Sequence, residues 1–516
     1  MKKIFIKSAF FIFFFVICSS AFSQDAQAET QGENNSDSSV YIINSFNYNV
    51  KGITQPFALN NKADLETGYE ITGFSNLEKF IQDKTQILIN ERVLQDNVRI
   101  EYTIADAPED GKYPVDLEIY VEDTWNIIAL PYPKYSSNSG YELTIKARDY
   151  NFLGTMQPLR IDLGYRYDQH KRSYFMLMLD SNYLFEALGF NWNFDFDHHI
   201  NYRPDMEEPW YYKNTTGLSL ILPVGRTELT TGFAVSFLVN EEITDSEKFK
   251  NKTDKDIQDG LYMSLKPYTS WKIPTGFDIG SFGELTYTPG LSYTHNIEFP
   301  QWPLLPFKTG PFFDFYHSLG FGRIDWKGNI REGLSVNISN SINYDFYYLR
   351  KNQDPFSYYY SVELKGYLIF IDNLFGISSR LTHRHWINSI HDQAGDVIRG
   401  IYDVERSAEM MVSFNFDFQF LPLKIRPSEW FPNNGFMRIF DFDMQFNPVF
   451  DIALYKDPNR SFSFENENIL MGAGIELIVF PQRWRSLFFR VSLAWDLSNT
   501  AQKTPIELFL GMELFY

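Results

Sequence analysis

The sequence predicts an all-β transmembrane barrel of about 16 antiparallel strands, preceded by one small α+β domain. Three observations carry this prediction. The 516 residues include 49 Phe and 32 Tyr, yet no run of 18 apolar residues follows the first 23 positions. From about Gly140 onward, apolar and polar residues alternate with period two in segment after segment. Each segment is about ten residues long, enough to cross a bilayer core when tilted.

The first 23 residues read as a cleaved secretory signal. Lys2, Lys3 and Lys7 are followed by a short apolar run, Ala9 to Ile17, and by the small-x-small site Ala21-Phe22-Ser23. The run is too short for a spanning helix. The single cysteine, Cys18, lies inside this segment, and Ile17 before it is not the small residue a lipid-anchor signal wants. The mature chain is therefore expected to lack disulfides, thiolate metal sites and a cysteine nucleophile. Residues 24–39 are polar and read as a flexible linker.

Residues 40–133 are expected to form the small domain. Tyr41 to Val50 has strand composition and Gly52 ends it. Ser75-x-x-Glu78 has the form of a capping box, and Leu77, Phe80, Ile81, Ile87 and Leu88 share one helical face. Strands Val98–Ile104 and Val115–Val121 flank a turn from Ala107 to Pro114, and the second runs on towards Trp125 and Ile128.

Residues 140–516 are expected to form the barrel. Leu159, Ile161, Leu163, Tyr165 and Tyr167 alternate with polar or small residues, as do Leu188, Phe190, Trp192, Phe194 and Phe196. Val412 to Phe420 repeats the pattern, and Ile506, Leu508, Leu510, Met512, Leu514 and Tyr516 share one face of the last segment. A strand crosses lipid only when its backbone groups are paired and no edge remains, so the sheet must close, and bacterial single-chain barrels close on an even number. Segments 201–213, 241–259, 388–407 and 456–467 are polar and fit outer loops. A soluble sandwich or propeller also alternates, but its core does not carry Phe, Trp and Tyr at this density.

The charge balance, 46 basic against 65 acidic residues, argues against a nucleic-acid partner. There is no Gly-rich phosphate loop, no His-Glu-x-x-His and no Ser elbow. His198 and His199 face opposite sides of a strand, while His383 and His385 share a face without an evident third ligand. Asp195/Asp197 and Asp441/Asp443 have the spacing of lumen-lining charge. No catalytic residue, metal site or cofactor is expected, and the protein is not expected to be an enzyme.

Gly511, Leu514 and Tyr516 resemble an outer-membrane insertion signal, in which a Gly is followed three and five residues later by apolar or aromatic residues. Phe509 stands where a polar residue is usual. Four further features resemble the BamA/TamA assembly-factor superfamily, the bacterial surface antigen proteins. The small domain looks like a POTRA domain. The passage from Val121-Glu122-Asp123-Thr124-Trp125 to Asn151-Phe152-Leu153-Gly154-Thr155 is similar to the family's entry into its barrel. Ile398-Arg399-Gly400-Ile401-Tyr402 lies where the family has an Arg-Gly-aromatic loop motif, although Ile401 occupies the aromatic position. Val449-Phe450-Asp451-Ile452-Ala453 lies where the family has an inward Asp followed two later by Gly, here Ala453.

The resemblance implies that Arg399, Gly400 and Tyr402 anchor a loop to Asp451 inside the lumen. Parity agrees on one point: Asp441, Asp443 and Asp451 alternate with Phe440, Phe442 and Met444, so Asp451 should face inward. An inward-folded loop would allow a charge-assisted contact to Arg399. The implied function is assistance in inserting or translocating other proteins at a bacterial outer membrane, with the POTRA-like domain in the periplasm. Client strands would exchange at the seam between the first strand, about Tyr141–Tyr150, and the last, Pro505–Tyr516. Partners would be outer-membrane lipids and unfolded client proteins or barrel assembly machinery. One POTRA-like domain suggests an accessory role. The alternatives are a passive cation-favouring channel and a surface structural or adhesion protein acting through loops 241–259 and 456–467.

Overall fold

The structure, a computed structural model, describes residues 38–136, 140–167, 173–204, 209–240, 260–299, 308–388, 392–393, 397–401, 407–457, 468–498, 506–512 and 514–516. The signal segment, nearly all of the linker and the loop 241–259 lie outside the described residues, as does Tyr402.

Residues 40–122 form an α+β domain around a four-stranded sheet. Val40–Lys51 pairs in parallel with Lys112–Glu122 and antiparallel with the short strand Glu70–Thr72, while Arg99–Ile104 pairs antiparallel with Lys112–Glu122. Strand Lys112–Glu122 alternates cleanly, and Val115, Leu117 and Ile119 point into the core. Helix Phe74–Asn90 covers that face because Leu77, Ile81 and Leu88 lie on one side of it. Leu59, Leu77, Leu88 and Leu94 are fully buried there, each contributing roughly 1.5–3 kcal/mol. The helix begins two residues earlier than the Ser75 capping box requires: Gly73 is its N-cap and no side chain caps it. A second helix, Pro56–Ala63, and the strand Glu70–Thr72 add to the expected elements.

The remainder is a closed antiparallel barrel of 18 strands, two more than the 16 expected. Seventeen of them follow residue 140; the other, which opens the barrel, is Ile127–Ser136. Most of that strand falls within residues 40–133, expected as the small domain, and its pairing with Gly140–Asp149 moves the boundary to near Asp123–Asn126. The last strand is also shorter than expected. It ends at Gly511, and Leu514 and Tyr516 do not continue the outward face of Ile506, Leu508 and Leu510.

Side chains divide by parity. On Phe442–Lys456, the inward set Asp443, Gln445, Asn447, Val449, Asp451, Ala453 and Tyr455 is buried, while Phe446 and Phe450 are exposed on the outer wall. Exposed Leu, Ile, Phe and Trp continue around the barrel, the belt a bilayer-spanning barrel presents to lipid. No helix among the described residues is long and apolar enough to cross a membrane. The lumen is filled unevenly. Inward residues on Met410–Ile425 and Phe442–Lys456 are buried, whereas Asn191, Asn193, Asp195 and Asp197 on Phe190–Tyr202 are only partly covered.

Candidate functional site

The packed side of the lumen is built around one arginine. Arg399 belongs to a connection between strands Phe375–Ile387 and Met410–Ile425 that turns inward, and it is 4 % exposed. Its Nε and backbone N–H donate to Asp451 Oδ2 at 2.9 and 2.8 Å, and its Nη2 donates to Asp451 Oδ1 at 2.7 Å. Nη2 also donates to Asp417 Oδ1 at 2.6 Å, and Nη1 lies 3.6 Å from Glu476 Oε2. The planar fork thus grips one carboxylate at two points while meeting two others, a geometry lysine cannot supply.

Strand pairing explains why these carboxylates converge. Asp451 lies opposite Asn415 on one neighbouring strand and Gly472 on the other. Asp417 and Glu476 share its inward face, and Arg490 Nη1 donates to Glu476 Oε2 at 3.2 Å. Asp417, Glu476 and Arg490 carry no motif that marks them in the sequence. Their parity was visible, but the register that gathers them was not.

The loop fits because two glycines remove obstacles. Gly400 adopts φ +93°, a left-handed conformation that favours glycine, and its N–H donates to Glu507 Oε2 at 2.7 Å. A Cβ on Gly472 would lie 1.8 Å from the Arg399 carbonyl oxygen. Val397, Ile398 and Ile401 settle into an apolar cluster with Ala453, Met411 and Leu470. Ile401, which departs from the aromatic motif, and Ala453, which departs from the expected Gly, are therefore both buried in this cluster.

Leu514 and Tyr516 turn into the lumen beside this loop. Phe515 lies against three guanidinium groups, 4.3 Å from Arg399, 5.2 Å from Arg380 and 5.4 Å from Arg490. The Tyr516 hydroxyl lies 3.3 Å from Ser378 Oγ, and its carbonyl accepts from Arg331 Nη1 at 2.8 Å. Leu514 rests against the apolar cluster of Ile330, Leu421, Ile478 and Phe480. Gly511 ends the last strand opposite Arg490.

The seam is formed by Ile506–Gly511 and Ile127–Ser136, not by Tyr141–Tyr150, which overlaps the second strand. Among the described residues it is closed by two pairs, Phe509 with Ser136 and Leu510 with Tyr135. By contrast, the ladder between the first two barrel strands has ten pairs.

The small domain docks against one end of the barrel. Asn90 Nδ2 donates to Asp325 Oδ1 at 2.8 Å, and its Oδ1 accepts from the Trp326 N–H at 2.9 Å. Asp83 pairs with Arg323. Arg92 stacks 4.4 Å from Trp326 and 5.1 Å from Phe488, and donates to Asn329 Oδ1 at 3.1 Å. Burial, with Arg485 nearby, pulls its pKa down to about 9. The two entry motifs also meet: Asp123 Oδ2 accepts from Asn151 Nδ2 at 3.2 Å and from the Ile53 N–H at 2.8 Å.

Among the described residues no three His, Cys, Asp or Glu side chains are grouped so as to hold a metal ion, and His383 lies instead beside the Tyr360 ring. Asp195 accepts from Asn182 and Asn193.

No protein-family model matches this sequence, and no curated protein does. Among solved structures, CdiB from Acinetobacter baumannii aligns at 13 % identity over 91 % of this chain and 73 % of its own, with a TM-score of 0.47. BamA from Haemophilus ducreyi lacking POTRA domains 1–3 aligns at 12 % over 92 % and 84 %, with a TM-score of 0.41. CdiB from Escherichia coli aligns at 9 % over 94 % and 92 %, also at 0.41.

Proposed function

We propose that this protein is an outer-membrane factor of the BamA/TamA type that assists insertion or translocation of other proteins, exchanging client strands at its barrel seam. The observation that carries the reading is the seam itself. Among the described residues two pairs close it, and towards the small domain its ladder stops at Leu510 with Tyr135, so few backbone bonds must be exchanged there when an extended client segment enters. Each bond to the wall that is lost can be replaced by one to the client, which keeps the cost in lipid low. The Arg399–Asp451 anchor holds the wall and loop beside the seam in place, and Gly400–Glu507 ties that loop to the last strand. The α+β domain, read as a POTRA-like module in the periplasm, stands at the mouth of the same barrel and offers the edge of Arg99–Ile104 for strand addition. Arg399, Gly400 and Asp451 are the loop anchor in this reading, Gly511 ends the seam strand, and Leu514 and Tyr516 complete the insertion signal from inside the lumen.

Depletion of the protein followed by quantification of all other outer-membrane proteins tests this. A broad fall in barrel proteins supports general assembly, and a fall in one or a few supports a dedicated translocator. An unchanged outer membrane overturns the proposal.

A further inference from the structure

The first barrel strand, Ile127–Ser136, contains Pro131 and Pro133. A proline nitrogen carries no hydrogen, so its position relative to the strand's two neighbours matters. The hydrogen bonds settle it. The Tyr150 N–H donates to the Asn126 carbonyl at 2.9 Å, just below the ladder in which Ile127 faces Asp149. Even-numbered residues of this strand therefore direct their backbone groups to the second strand, and odd-numbered ones to the seam. The Trp125 N–H agrees, donating across the seam to the Arg483 carbonyl at 3.2 Å. Both prolines thus present donor-free positions to the seam.

The register shows what those positions would have served. Leu510 faces Tyr135; continued in the same register, Met512 would face Pro133, Leu514 would face Pro131 and Tyr516 would face Ala129. The ladder stops where the first donor is missing. Residues 514–516 instead find partners in the lumen, on Arg331, Arg380, Arg399 and Ser378.

We propose that Pro131 and Pro133 hold the seam unzipped. By removing the two donors that would pair with the end of the last strand, they divert residues 514–516 into the lumen. A lateral window then stands in the half of the wall nearest the small domain. Leu510 and Tyr135 close the window at one end. At the other, Trp125 stacks on Trp484 with ring centroids 5.8 Å apart, and Arg483 lies over the Trp125 ring. A standing edge in lipid is costly in proportion to its unpaired donors and acceptors, and two prolines lower that cost. The seam is thus built to remain parted rather than to be forced apart. This inference concerns the chain's own wall and does not rest on any client.

The full-length protein, with Cys18→Ser, is the test material, in two cysteine pairs. Ala129→Cys with Tyr516→Cys reports the zipped seam, since these residues would then lie opposite each other at disulfide distance. Ser378→Cys with Tyr516→Cys, joined by a short bifunctional thiol reagent, reports the lumenal position. With the natural prolines, the lumenal pair is expected to link and the seam pair to stay free. Pro131→Val with Pro133→Val restores two donors on a lipid-facing surface and is expected to shift the ratio of seam to lumenal linkage by roughly tenfold or more. Unchanged linkage in a double variant that still shows heat-modifiable migration overturns the proposal. If the double variant forms no barrel, the natural protein decides: ready disulfide formation by the seam pair overturns it, and its absence alongside lumenal linkage supports it.

Discussion

A Cβ on Gly472 would lie 1.8 Å from the Arg399 carbonyl oxygen, so the anchor loop and the strand behind it touch backbone to backbone. The obstacle is main chain and cannot rotate away. Gly472→Ala is expected to lift the loop at a cost of about 1–3 kcal/mol. Conductance in planar bilayers should rise as the lumen clears, with the unboiled protein still migrating as a folded barrel. Unchanged conductance would show that the loop does not limit the lumen.

Arg399 neutralises a group of carboxylates that are otherwise buried together. Arg399→Ala leaves Asp417 and Asp451 without their shared cation and is expected to cost about 3–5 kcal/mol. Denaturant titration of the folded band on unboiled gels reads this directly. Arg399→Lys keeps the charge but loses the fork, and should restore only part of the lost stability. Full rescue by lysine would mean that charge alone matters.

Glu507 links the loop to the last strand by accepting the Gly400 N–H. Glu507→Ala is expected to loosen that strand while leaving the Arg399–Asp451 contact in place. Proteolysis or amide exchange confined to residues 506–511, with residues 442–456 still protected, is the expected result. Equal loss of protection in both segments would show a general collapse instead.

Arg92 fastens the small domain through rings and a neutral acceptor. Arg92→Ala is expected to weaken docking by about 1–3 kcal/mol, from lost stacking and hydrogen bonding. Protease cleavage near residues 123–126 should accelerate several-fold while the barrel band persists. An unaltered cleavage rate would place the docking energy elsewhere, on Asn90 and Asp83.

The barrel was legible because alternation is a local signal that each strand carries by itself. The inward direction of Asp451 followed from the same parity. The number of strands did not, and the reason is physical. Ile127–Ser136 lacks the look of a strand because Pro131 and Pro133 interrupt it, and proline is tolerated only where the nitrogen has no strand partner. The strand with the weakest sequence signature is thus the one at the seam. Asp417, Glu476 and Gly472 were hidden for another reason: they join Asp451 through register across neighbouring strands, which no single segment records. Arg92 was equally silent, since its partners are separated from it by more than two hundred residues.

The uneven filling of the lumen has a mechanical meaning. On one flank of the seam the wall is backed by the anchor loop and its buried ion pairs. On the other, from Gly140 through Phe190–Tyr202, most inward side chains are only partly covered, and ties such as Arg160 with Asp180 and Asn182 with Asp195 run between neighbouring strands. A sideways load applied at the join is therefore shared unequally, like that on a vice with one fixed jaw and one sprung jaw. The flank carrying Arg399 is expected to keep its curvature while the less filled flank flexes.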